Sequence, residues 1–186
     1  MTRDVTKKIT LSAMFLAIGM VLPFLTGQIP QIGSMLLPLH IPVFLCGLIC
    51  GWKYGALIGV ILPLMRSMVF HMPPLFPTAT AMAFELFTYG LVSGLLYGIS
   101  KKKSVIAIYR AIIIAMLAGR AVWGIVQIIL LGISGSSFTW KAFTAGAFFN
   151  AIPGIIIQLI LLPAIMVTLN RTGLVPSYPI QAAEES

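Results

Sequence analysis

The sequence predicts an all-α membrane protein, a compact bundle of six transmembrane helices with N- and C-termini in the cytoplasm. Three observations predict it. Of the 186 residues, 59% are hydrophobic and 9% charged, with a mean hydropathy of +1.05. A soluble domain has about a quarter of its residues charged, so this chain could not cover a globular surface in water, and its solvent is the lipid bilayer. The apolar residues also fall into six runs, and a helix needs roughly 20 of them to cross the hydrocarbon core. Finally, the basic residues gather at alternate run ends, as they do in cytoplasmic loops.

The first run, 9–25, follows a polar segment with Arg3, Asp4, Lys7 and Lys8. It ends at Pro23 and Gly27 with no small-residue cleavage site, so it reads as a retained span and not as a signal peptide. Residues 26–38 are rich in Gly and Pro, lack Lys and Arg, and read as a loop. The second run, 40–52, is short for a crossing and closes on the interfacial cluster Trp52, Lys53 and Tyr54. The third, 55–70, contains Pro63 and Arg66 and leads into a Pro-rich connection, His71 to Pro77. The fourth, 78–100, stops at Lys101, Lys102 and Lys103, and the fifth, 105–133, carries Arg110 and Arg120. A Gly-Ser linker at 134–137 precedes the sixth, 143–169, and residues 170–186 form a polar tail. All of this reads as one integral membrane domain, 1–186.

With the N-terminus inside, the cytoplasmic side collects Arg3, Lys7, Lys8, Lys53, Lys101, Lys102, Lys103, Arg110 and Arg171, leaving Lys141 alone outside. The net charge of +8 is therefore a topology signal. Basic residues spread over helix ends, with no aromatic-interleaved patch, give no nucleic-acid surface.

Placing the other polar residues by depth, at 1.5 Å per residue, brings Arg66, Glu85, Arg120, Asn150, His40 and His71 together in the outer leaflet. A charge near the bilayer centre costs at least about 2.5 kcal/mol, so two arginines and one glutamate there must be paired, hydrated or used. Glu85 can neutralise either Arg66 or Arg120 as an interhelical tie. The surplus cation favours a ligand with a carboxylate or phosphate, groups that a guanidinium grips in a bidentate fork. Tyr89, Trp123 and Trp140 can stack on a ligand ring or serve as interfacial anchors. Gln127 and Gln158 can tie neighbouring spans.

Other chemistries lack their residues. No GxxxxGK[ST] loop and no HExxH motif is present, and only one carboxylate lies within the spans, so no catalytic residue is assigned. Cys46 and Cys50 share a helix face with no His or carboxylate at metal spacing, and they read as buried free thiols. No metal site and no covalently bound cofactor is expected. Ala13 and Ala17, four residues apart and followed by Gly19, make a flat face for another helix or for internal packing.

A short six-span chain with this first helix resembles the substrate-binding S components of energy-coupling factor (ECF) transporters. So do Leu37-Pro38-Leu39-His40-Ile41-Pro42-Val43, Cys46-Gly47 through Gly51-Trp52-Lys53-Tyr54-Gly55, and Phe76-Pro77-Thr78-Ala79 running into Ala81-Met82-Ala83-Phe84-Glu85-Leu86 and Tyr89-Gly90. The resemblance implies high-affinity capture of a vitamin or related micronutrient from outside, in the plasma membrane of a prokaryote. It also implies release inside after docking on a transmembrane coupling subunit that joins two cytoplasmic ATPases, which alone use ATP. Ala13 and Ala17 match the docking motif, and Gly27 to Pro38 matches a gating loop. The substrate stays open between a weakly acidic molecule such as pantothenate and a neutral one: a pyridoxine, a cobalamin precursor or a pyrimidine, if Glu85 and an arginine neutralise each other. The rival reading is a self-sufficient secondary transporter or channel with Glu85 as proton relay, against which no inverted repeat is visible.

Overall fold

The structure is a computed structural model that describes residues 2–26, 35–133, 135 and 150–172. Six helices follow in order: α1 (Thr2–Val21), α2 (His40–Cys50), α3 (Trp52–Phe70), α4 (Thr80–Ile99), α5 (Val105–Ile133) and α6 (Ile152–Thr172). No strand occurs among the described residues. Trp140, Lys141, most of the Gly27 to Pro38 loop, residues 143–149 of the expected sixth span and the tail from 173 lie outside them.

Helicity outruns hydropathy at the start of the chain. The expected first span begins at Ile9, yet α1 begins at Thr2 and carries Asp4 in its first turn, where a carboxylate complements the helix dipole. The helix therefore extends past the apolar run with Lys7 and Lys8 on it. At its far end Pro23 sits in a short 3-10 turn, Leu22–Thr26.

Among the described residues, five helices are long and apolar enough to cross a membrane. The sixth, α2, has 11 residues, about 16 Å of helix against a core of about 30 Å. Its sequence is apolar all round, and such a helix belongs in an interior. His40 and every residue from Pro42 to Cys50 are buried, with α1, α3, α4 and α6 packed around them. It thus forms the central post of the bundle. Gly51, at φ 100°, turns the chain from α2 into α3 while its N–H bonds Gly47 O at 3.1 Å. That left-handed conformation is open to glycine at little cost.

The junction of α2, α3 and α4 is built by glycine. A Cβ on Gly55 would stand 2.5 Å from Gly47 Cα, and one on Gly90 would stand 2.2 Å from the Gly55 carbonyl. The three backbones therefore touch, as small residues allow in membranes. α4 lies between α3 and α5 and also contacts α2. At its C-terminus Lys103 donates to Tyr97 O and to Gly98 O, the latter at 2.9 Å, and lies over the Tyr97 ring. A cation suits the orphan carbonyls of a helix end, although burial lowers this ammonium below the usual lysine range.

Polarity is distributed as lipid requires. Leu57, Met68, Ile106, Leu117, Ile125 and Ile160 are exposed, while His40, Arg66, Glu85, Arg120, Gln127 and Gln158 are buried. An apolar exterior around a polar interior keeps these side chains away from lipid.

Candidate functional site

Four side chains from three helices meet towards the end of the bundle where α1 and α3 finish and α2, α4 and α6 begin, Arg120 coming from the middle of α5. Glu85 stands one and a half turns into α4 and is 2% exposed. Its Oε1 receives Arg120 Nη1 from α5 at 2.9 Å and the Tyr89 hydroxyl, one turn along α4, at 2.8 Å. His40, the first residue of α2, places Nε2 at 3.6 Å from the same oxygen, too far for a hydrogen bond. Both His40 ring nitrogens are buried with no hydrogen-bond partner among the described residues.

Tyr89 is held on both sides. Its ring stacks on Phe44 of α2 at 4.9 Å between centroids and tilts against His40 at 5.3 Å. On the α5 side the ring rests on Gly119, where a Cβ would come within 2.2 Å of Cε1. Only glycine leaves that space. Tyr89 thus positions the Glu85 carboxylate, and its ring faces are occupied by protein.

Of the two arginines that could neutralise Glu85, Arg120 does so. Arg66 is buried on another face of α3, donating from Nη1 to Met20 O at 2.7 Å. Its guanidinium lies 5.4 Å from the Phe24 ring and 5.2 Å from the Phe70 ring, within cation–π range. The two cations expected together in one site therefore have separate partners, one a carboxylate and the other a backbone carbonyl and two phenyl rings that meet edge to face. His71, exposed and left-handed at φ 57°, caps the end of α3. Asn150 is exposed just before α6, and Trp123 is half-buried on α5.

Two amides belong to the same end. Gln127 is seven residues beyond Arg120 on α5, two turns along the same face, and its Oε1 is buried with no partner among the described residues. Gln158 of α6 is 1% exposed and its Nε2 is likewise unpartnered. One turn above it Gly154 abuts the backbone of Met35 and Leu36, the segment that leads into His40.

Phe44 and Gly119 are not among the residues that charge, depth or motif single out in the sequence. Gly119 did leave a signal there, because Ala111, Ala115 and Gly119 put a small residue at every fourth position of α5 and are buried. Gly119 of that stripe meets Tyr89 of α4.

Ala13 and Ala17 are both exposed on α1, whereas Ser12, Phe15 and Gly19 turn inward. Cys46 and Cys50 are buried free thiols, and Cys46 Sγ is 3.5 Å from Ser12 Oγ. No metal-binding group occurs among the described residues.

No curated protein and no solved structure matches the chain. The family described as ECF transporter, substrate-specific component matches residues 7–166, a range that covers most of α1, all of α2 to α5 with the whole His40–Glu85–Arg120 cluster, and most of α6. With most of its length matched, this integral membrane protein belongs to the substrate-specific components of ECF transporters.

Proposed function

We propose that this chain captures a vitamin or related micronutrient from outside the cell at the end of the bundle marked by His40, Glu85 and Arg120. Release inside follows docking of α1, through Ala13 and Ala17, on the coupling subunit of an assembly with two ATPases, and both termini lie in the cytoplasm. Its family is one of non-catalytic transport subunits that bind a small molecule and leave ATP hydrolysis to partners.

His40 carries the assignment of the binding end. It is 2% exposed, yet neither ring nitrogen has a hydrogen bond among the described residues. An unsatisfied buried polar atom costs about 1–3 kcal/mol, and a bound molecule that bonds the imidazole removes that cost. Exposure of Ala13 and Ala17 supports the docking face, since small residues let another helix approach closely.

Reconstitution tests the whole reading. The purified chain in vesicles is expected to bind but not transport, with uptake appearing when a coupling subunit, two ATPases and ATP are supplied. Uptake by the chain alone under a proton gradient would overturn it in favour of a secondary transporter.

A further inference from the structure

The charged groups and the unsatisfied groups at this end are different residues, and the difference bears on what is bound. Among the described residues, Arg120 is engaged by Glu85 at 2.9 Å. Arg66 donates to Met20 O at 2.7 Å and lies against Phe24 and Phe70. An anion approaching Arg120 meets the Glu85 carboxylate, and a cation approaching Glu85 meets the guanidinium. In a low-dielectric interior each approach is opposed at close range. The pair is thus a closed, neutral unit.

Among the described residues, the unmet hydrogen-bond demand lies on uncharged functions. Gln127 Oε1 asks for a donor, Gln158 Nε2 asks for an acceptor, and neither His40 nitrogen makes a hydrogen bond among the described residues, Nε2 standing 3.6 Å from Glu85 Oε1; an imidazole offers one donor and one acceptor. All three residues are at least nine-tenths buried. α6, which carries Gln158, packs on both α2 and α5, the helices of His40 and Gln127.

We infer that the captured molecule carries no net charge and offers hydrogen-bond donors and acceptors together, as a hydroxylated or amide-bearing heterocycle does, with Gln127, Gln158 and His40 as its polar contacts. This rests on the capture reading above and narrows its substrate class. It removes weak acids from the substrates that the sequence leaves open.

The test uses the full-length chain in detergent and matched probes differing in charge: pyridoxine against pyridoxine 5′-phosphate, pantothenol against pantothenate, and nicotinamide against nicotinate. Thermal-shift titration is combined with mass spectrometry of any small molecule that co-purifies. The expected result is stabilisation by an uncharged member, or an uncharged co-purified molecule, with the charged counterpart at least tenfold weaker. Gln127→Leu and Gln158→Leu are expected to weaken that binding at least tenfold without lowering the melting temperature of the empty protein, because each removes an unsatisfied buried polar atom. A carboxylate or phosphate that co-purifies or binds more tightly than its uncharged partner overturns the inference and leaves the capture role standing. No binding of any probe together with no co-purified molecule overturns both.

Discussion

Arg120 on α5 and Glu85 on α4 form a direct ion pair, Nη1 to Oε1 at 2.9 Å, with both residues under a tenth exposed. A buried pair is worth little against an apolar pair of equal volume, but losing one partner strands a charge at a cost of about 3–5 kcal/mol. Glu85→Met and Arg120→Met are each expected to destabilise the protein by about that amount. The double variant is expected to recover most of the loss. Thermal unfolding of all four proteins in one detergent checks this, and additive losses would mean that the two residues do not act as a pair.

The Gly119 contact makes a second prediction. A methyl group there meets the Tyr89 ring at 2.2 Å, and the ring cannot retreat because Phe44 stacks on its face. Gly119→Ala is expected to cost about 1–3 kcal/mol, the range for overpacking a well-filled core. It also displaces the hydroxyl from Glu85. Tyr89→Leu, which removes the planar ring, is expected to relieve most of the alanine penalty when the two are combined, measured by the same melts.

Glycine position decides the sign of a third effect. At Gly90 a Cβ would strike the Gly55 backbone, whereas at Gly98, on the same helix, it would meet nothing within 4 Å. Gly98→Ala is expected to stabilise by up to about 1 kcal/mol through helix propensity. Gly90→Ala is expected to destabilise by about 1–3 kcal/mol or more, since the atom struck is backbone. Equal effects at the two sites would show that α3 and α4 do not touch there.

These particulars show what the sequence made legible. Six helices follow from apolar runs and breakers, and α2 stands out as too short to cross by counting alone. The partner of Glu85 was not legible, because depth along separate helices says nothing about the direction each side chain faces. Arg66 and Arg120 sit at similar expected depth, yet one faces α1 and the other faces α4. The three-helix contact is legible, since Gly47 and Gly51, Gly55 and Gly59, and Gly90 and Gly94 each repeat at four-residue spacing. That interval marks close helix approach.

Arg66 supplies a fourth prediction. A lysine keeps the charge but loses the planar group that lies against Phe24 and Phe70. Arg66→Lys is expected to lower stability by about 1 kcal/mol, the scale of a cation–π contact. Retention of the bound molecule, quantified by mass spectrometry, is expected to change less than threefold. A loss of tenfold or more would place Arg66 at the ligand.

The outward face of α1 separates capture from coupling. Ala13 and Ala17 are exposed and lie one turn apart, while Ser12, Phe15 and Gly19 hold the helix against the bundle. A tryptophan at position 13 or 17 therefore enlarges a surface without entering the core. In lipid that surface has no hydrophobic drive to associate, so a partner helix there depends on close packing, which an indole prevents. Ala13→Trp and Ala17→Trp are expected to reduce uptake by the assembled transporter to background while the affinity of the isolated chain stays within about twofold, a change under 0.5 kcal/mol. Uptake assays of the complex and binding to the purified chain give the two readouts. Weakened binding by the isolated chain would mean that this face of α1 supports the ligand site instead of a partner.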